Sequence, residues 1–163
     1  VLSYQRALDY ILGLANYETS VDTQAAAARF NLQTVKQLAT LSGWQSGQYI
    51  HIAGTKGKGS TAAMLEAILR SAGYRTGLFT SPHLHSFRER IRVAGEMISG
   101  RDVARWTVCL RPLVEQLRRD NPSLCPVTTF DFLVVMALCY FVEQGVDLAI
   151  MEAGLGGRLD ATN

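Results

Sequence analysis

Along this chain the apolar residues change spacing between a helical and a strand period, and each change marks an element. Within residues 3–14, Leu8, Ile11 and Leu12 stand at helical spacing, and Leu32 to Leu41 repeats the pattern. Thr23 to Phe30 reads as a further short helix, preceded by a polar loop from Asn16 to Asp22. Gly43 to Gly47 is a turn before a short strand over 49–53. From Thr61 to Ala72 a helix places Met64, Leu65, Ile68 and Leu69 on one face and ends near Gly73. A strand from Gly77 to Thr80 stops at Ser81-Pro82, and Phe87 to Val93 alternates, which predicts a strand or hairpin turning at Gly95. Asp102 is the expected cap of a helix to about Arg119, broken at Asn121-Pro122. Asp131 to Gln144 is an apolar helix closed by Gly145, and Asp147 to Glu152 is a buried strand.

Strands alternating with helices predict an α/β fold, a mostly parallel sheet with helices on both faces. Right-handed crossovers then bring the C-terminal ends of the parallel strands to one edge, where ligands bind in such folds. Three features should meet there: the loop after strand 49–53, Ser81 and Glu152.

The loop is Gly54-Thr55-Lys56-Gly57-Lys58-Gly59-Ser60, with Thr61 behind it. Glycines let consecutive backbone N–H groups turn onto an anion, and the following helix N-terminus adds partial positive charge. A lysine adds a point charge, and a hydroxyl can reach Mg²⁺. The spacing is not that of G-x-x-x-x-G-K-[ST]: Ile52 stands at the first glycine and Gly59 follows Lys58. The density of Gly, Lys and Ser/Thr at a strand-to-helix junction still predicts ATP phosphate binding, in a P-loop NTPase-like fold. Lys58 is the residue for the β- and γ-phosphates. Lys56 is a second phosphate charge or a solvated one, and Ser60 and Thr61 are helix-capping hydroxyls, ligands, or both.

Ser81 belongs to a frequent turn dipeptide, but its place at the crevice end of a strand also makes it a candidate Mg²⁺ ligand. Glu152 is the natural carboxylate partner. It sits among Leu148, Ala149, Ile150, Met151 and Ala153, where an ionised group needs a metal, a ligand or a salt bridge. The loop Gly154-Leu155-Gly156-Gly157-Arg158-Leu159-Asp160 follows at once and allows close backbone approach to a ligand. Arg88, Arg90 and Arg92 alternate, as an exposed charge stripe or an anion-binding one. His83 and His85 read as surface loop histidines.

Composition adds bounds. The 163 residues fit one domain with a real core, 48% are hydrophobic, and the formal charge is +2. That balance points to neither a nucleic-acid partner nor a membrane surface, and Phe132 to Val142 is too short to span a bilayer. Cys109, Cys125 and Cys139 lack C-x-x-C spacing, so disulfides and a thiolate metal site are not expected. The reading is a soluble, cytoplasmic monomer. A start at Val1 and a stop at Asn163 with no closing element suggest part of a longer protein.

Five blocks then occur in order: Ala53-Gly-Thr-Lys-Gly-Lys-Gly-Ser60, Phe79-Thr-Ser-Pro-His-Leu84, Glu89-Arg-Ile-Arg-Val93, Thr129-Phe-Asp-Phe132 and Glu152-Ala-Gly-Leu-Gly-Gly-Arg-Leu-Asp-Ala-Thr-Asn163. Together they closely resemble folylpolyglutamate synthase/dihydrofolate synthase, a branch of the ATP-dependent muramyl-ligase superfamily. The resemblance implies that residues 1–163 are the N-terminal part of the ATP-binding ligase domain. Residues 1–47 would be a helical segment with a substrate loop, and 48–163 the P-loop core. It implies ATP on Gly54 to Thr61, Mg²⁺ on Ser81 and Glu152, and catalysis resting on Lys58 and Glu152. It implies a pteroate site from Val21, Asp22, Thr23 and Gln24, from Thr128, Thr129, Phe130 and Asp131, and from Leu159, with Arg90 on substrate. Lys56 departs from a more usual asparagine, and Asp131 from a more frequent glutamate. A third, histidine ligand, a lysine and a closing second domain are implied beyond Asn163. The implied reaction joins L-glutamate to dihydropteroate or a reduced folate through an acyl phosphate. The alternatives are another amide ligase of the superfamily, and a nucleotide-binding fragment inactive by itself.

Overall fold

The computed structural model describes residues 2–15, 32–44 and 47–163. The loop and helix expected over 16–30, and with them Val21, Asp22, Thr23 and Gln24, lie outside the described residues. Helix α1 (Tyr4–Leu12) starts at Ser3, whose hydroxyl accepts the Arg6 N–H at 3.3 Å, and it buries Ala7 and Ile11. Helix α2 (Leu32–Leu41) buries Thr34, Val35, Leu38 and Ala39, one stripe at helical spacing.

Five strands follow: β1 (Tyr49–Ile52), β2 (Thr76–Phe79), β3 (Ile91–Val93), β4 (Glu96–Met97) and β5 (Leu148–Glu152). Their order across the sheet is β1-β5-β2-β3-β4. The first three neighbours run parallel, with Ile52 level with Glu152 and Phe79 level with Met151. Their C-terminal ends therefore share one edge, as the sequence predicts. β3 runs antiparallel to β2, and β4 to β3, so the sheet is mixed around a parallel core. For the β3–β4 pair the reason is local. The two-residue turn Ala94-Gly95, with φ of +50° and +86°, joins β3 to β4 as a hairpin and leaves no room for a crossover.

Alternate residues of β2 and β5 face opposite layers. Leu78 and Ile150 pack under Ala62 of helix α3 (Lys58–Ser71), while Phe79, Ala149 and Met151 belong to the larger core on the other face. That core centres on helix α5 (Thr129–Glu143), in which every residue from Phe132 to Ala137 is fully buried. α1, α2 and helix α4 (Gly100–Asp120) enclose it, so it is apolar all round. Each fully buried Leu, Val or Phe side chain contributes about 1.5–3 kcal/mol, which makes this layer the platform for the sheet edge.

Several boundaries differ from the sequence reading. α3 begins at Lys58 rather than Thr61, so Lys58, Gly59 and Ser60 form its first turn. α4 is capped by Ser99 and α5 by Thr128; Asp102 and Asp131 are the third helical residues, whose N–H groups donate to those hydroxyls. Phe87–Arg90 is a 3₁₀ turn, and only Ile91–Val93 is strand. The alternation of Arg88, Arg90 and Arg92 imitates a strand but makes no exposed stripe. Arg90 is 5% exposed, and the other two are half-buried.

Candidate functional site

β1 ends at Ile52 and the chain enters α3 through Gly57, whose φ of +77° is left-handed, a conformation that favours glycine. Gly57 precedes the first helical residue and places no side-chain cap over the N-terminus of α3, where the Gly59 N–H turns to Glu152. The Lys58 Nζ donates to the Gly54 carbonyl at 3.0 Å, and the Thr61 hydroxyl donates to the Gly57 carbonyl at 2.9 Å. The loop is thus already closed on itself, with Lys58 across its mouth. Thr55, Lys56, Ser60 and Thr61 are exposed.

Glu152 ends β5 directly behind this turn and is 5% exposed. Its Oε2 accepts the Ser81 N–H at 3.1 Å, and a Cβ added to Gly59 would lie 3.4 Å from its Oε1. Burial pushes the Glu152 carboxyl above its usual range. The Ser81 N–H, the Lys58 charge and the Gly59 N–H pull it back. The three arms predicted to meet do so: the loop after β1, Ser81 after β2 and Glu152 at the end of β5.

This corner suits a hard cation. Among the described residues no salt bridge reaches Glu152, so its charge is balanced by two N–H groups and a nearby lysine. The donors are a carboxylate and the half-buried Ser81, all oxygen, as Mg²⁺ prefers. Among the described residues no cluster of three or more His, Cys, Asp or Glu could hold a metal. Of the described residues, Ser81 and Glu152 are the two that would contribute to a bound Mg²⁺, which commonly keeps several waters.

A second group adjoins the first. The Thr128 N–H and hydroxyl both donate to Asp131 Oδ2, at 2.9 and 2.7 Å, so Asp131 turns back to cap its own helix. Burial raises the Asp131 carboxyl above its usual range, Thr128 pulls it down, and the neighbouring Asp160 charge raises it again. The Thr129 hydroxyl is spent on the Ile11 carbonyl at 2.9 Å, and the Thr129 N–H on Ala15 at 2.9 Å. Phe130 meets Phe79 edge to face at 5.7 Å between centroids. It also lies so close to Gly154 that a Cβ there would stand 2.8 Å from its Cζ. Only glycine lets that loop pass over the ring.

Asp160 organises the glycine loop and is 2% exposed. It accepts the Leu155 N–H at 2.8 Å, the Thr162 N–H at 3.1 Å and the Thr162 hydroxyl. Because that hydroxyl donates to Asp160, its 2.8 Å contact with His51 Nε2 is one in which the ring N–H donates. The loop is thereby tied to β1, and a Cβ on Gly157 would lie 3.1 Å from Ala53, just before the phosphate loop. Leu159 is 46% exposed on this loop. Arg90 sits elsewhere in the same edge: its Nε donates to His83 Nδ1 at 3.0 Å and its guanidinium lies 5.8 Å from the Phe87 ring centre. Of the two histidines read as surface residues, His85 is exposed and His83 half-buried.

The sequence did not single out Asp160, Thr162 or His51. The Asp-x-Thr spacing is a local turn signal, but nothing in it tells that the turn is buried. A groove of about 390 Å³ lined by Trp44, Tyr49, Leu138, Met151 and Thr162, among others, contains none of the candidate residues.

No protein-family model matches the sequence. The chain is similar to the mitochondrial folylpolyglutamate synthase of Bos taurus, at 39% identity over 163 residues that cover 97% of this chain and 28% of that protein. It is similar to the crystal structure of folylpolyglutamate synthase from Thermotoga maritima, with a TM-score of 0.82 at 37% identity, covering 98% of this chain and 35% of that one. It is also similar to a structure described as an FPGS-AMPPCP-folate complex, with a TM-score of 0.86 at 30% identity, covering 99% and 38%. The chain thus spans well under half the length of the relatives it matches.

Proposed function

We propose, for a chain that belongs to the folylpolyglutamate synthase family of the muramyl-ligase superfamily and matches the N-terminal part of its members, a role in ATP-dependent amide ligation. The whole protein joins the amine of L-glutamate to a carboxylate of dihydropteroate or of a reduced folate. The observation that carries this reading is the meeting of three chain segments at one sheet edge, where Ser81 N–H contacts buried Glu152 beside the first turn of α3.

ATP lies with its phosphates over Gly54 to Thr61. Lys58 exchanges the Gly54 carbonyl for phosphate oxygens, a small local movement, since its ammonium already spans the loop. Ser81 and Glu152 would hold Mg²⁺, which when bound neutralises phosphate charge. The acceptor lies along Thr128, Thr129, Phe130, Asp131 and Leu159, with Val21 to Gln24 and Arg90 as further contacts. Backbone and aromatic surface are what the structure offers there, because the Thr129 hydroxyl and the Asp131 carboxylate have partners within the fold. An acceptor carboxylate oxygen attacks the γ-phosphorus, and the bond to the β-phosphate oxygen breaks to release ADP. The glutamate amine then attacks the acyl carbon, loses a proton, and expels phosphate. No protein nucleophile takes part; the loop supplies alignment and charge.

The reading requires a signature in the released phosphate. With ¹⁸O in the acceptor carboxylate, one labelled oxygen is expected in each phosphate formed, measured by mass spectrometry. Phosphate free of label would rule out the acyl-phosphate route. The compartment assigned is a reducing one, the cytoplasm. Cys109, Cys125 and Cys139 are unpaired thiols, which suits such a compartment. The bovine relative is named as mitochondrial.

A further inference from the structure

The segment from Thr80 to Arg90 carries Ser81 and folds back on itself. The Thr80 N–H donates to the Arg90 carbonyl at 3.0 Å, closing the segment at its neck. Within it, one side chain gathers three backbone N–H groups. The Glu89 carboxylate accepts three consecutive N–H groups, from Leu84 at 2.9 Å, His85 at 3.0 Å and Ser86 at 2.6 Å. The Thr80 hydroxyl reaches the Glu89 carbonyl at 3.4 Å, and the Arg92 Nε the same carbonyl at 3.3 Å. Next to it, Arg90 holds His83.

Three N–H groups on one carboxylate are charge-assisted bonds, roughly twice as strong as neutral ones. The Leu84 N–H first, then those of Ser86 and His85, hold the Glu89 carboxyl down to about 2. It is ionised at neutral pH. Solubility needs no such cage, and β3 is paired on both sides without it. What the cage does fix is the path of the chain just after Ser81, whose N–H meets Glu152.

We infer that Glu89 is a positioning residue for the nucleotide–metal corner, holding the 81–86 segment so that Ser81 stays beside Glu152. This rests on the reading of Ser81 and Glu152 given above. Glu89 touches neither nucleotide nor metal; it acts through Ser81.

The test uses the family-length protein, with Mn²⁺ bound in the presence of the non-hydrolysable analogue AMPPCP and free Mn²⁺ read by electron paramagnetic resonance. Glu89→Ala is expected to weaken Mn²⁺ binding by about 10- to 100-fold, the range for outer partners of metal sites, and Ser81→Ala, which removes a ligand, by at least as much. The double variant is expected to bind no more weakly than Ser81→Ala alone, because Glu89 has nothing left to position. Glu89→Gln keeps the side-chain length and an acceptor oxygen and is expected to fall between wild type and Glu89→Ala. It supports the same comparison if the alanine variant fails to fold. Amide exchange at Leu84 to Ser86 should quicken in both Glu89 variants and stay unchanged in Ser81→Ala. If Ser81→Ala weakens Mn²⁺ binding and folded Glu89 variants do not, the inference falls and the metal corner stands. Effects that multiply in the double variant would equally overturn it, since Glu89 would then act elsewhere. If Ser81→Ala itself leaves Mn²⁺ binding unchanged, the metal corner falls, and the inference with it.

Discussion

Alanine at position 58 is expected to lower kcat/KM for glutamate ligation in the family-length enzyme by about 10²- to 10³-fold, the usual cost of removing one aimed charge or donor from a transition state. The expectation follows from where Lys58 points. Its ammonium bridges the mouth of the phosphate loop to the Gly54 carbonyl, so it stands where phosphate charge collects. That hydrogen bond is exposed, and losing it costs about 1 kcal/mol or less, so the variant should fold with a nearly unchanged melting temperature. Arginine at this position should rescue poorly, because its planar fork cannot replace a compact ammonium between two glycines. Steady-state kinetics at varied ATP, with a thermal melt beside them, check both parts. Unchanged turnover in the alanine variant would remove the phosphate loop from the reaction.

The loop could be recognised from sequence because its signal is local: glycines, lysines and hydroxyls within eight positions, between a strand pattern and a helix pattern. The meeting of Lys58, Ser81 and Glu152 could also be foreseen, since parallel strands put their C-terminal ends on one edge whatever the loops do. What sequence reading could not reach depended on tertiary burial. Arg88, Arg90 and Arg92 carry a period of two and so imitate a strand, yet Glu89 between them draws the chain into a 3₁₀ turn. The periodicity shows the arginines, whereas the fold is set by the carboxylate and three N–H groups upstream of it. Asp131 shows a related limit: the sequence reads it as the start of the helix, whereas the structure makes it the third helical residue, folded back onto the cap at Thr128. Asp160 stood unread within its glycine loop because nothing in that short stretch reveals that it is buried.

Glu152→Gln carries the other large effect, and it has two sides. Removing the carboxylate charge from the corner with Ser81 is expected to abolish ligation to about the same 10²- to 10³-fold extent or beyond. Stability should move the opposite way. Burial raises the folded-state carboxyl above the ordinary value of 4.5, so the fold favours its proton. The stability from that preference is complete below the ordinary value and is lost as pH rises through the raised one. At neutral pH the ionised group therefore carries a desolvation cost that glutamine does not, and the glutamine oxygen can still accept the Ser81 N–H. The nucleotide-free variant should melt at or above the wild-type temperature at neutral pH, the gap closing as pH falls below 4.5. Mg²⁺ with AMPPCP should stabilise the wild type and not the variant. Thermal melts across pH, with and without that pair, provide the check. A variant that melts lower than wild type at neutral pH would show Glu152 to be a structural charge rather than one kept for a cation.

The central reading is an amide ligase acting on glutamate and a pteroate-type acceptor, and product mass tests it most directly. The family-length protein is given Mg²⁺, ATP and L-glutamate with either dihydropteroate or tetrahydrofolate, and the products are weighed. The expected result is a gain of one glutamate residue on at least one acceptor, dependent on ATP, with the reactive acceptor naming the branch. No gain on either, from folded protein that still binds nucleotide, would contradict the folate reading and leave a nucleotide-binding domain of another purpose.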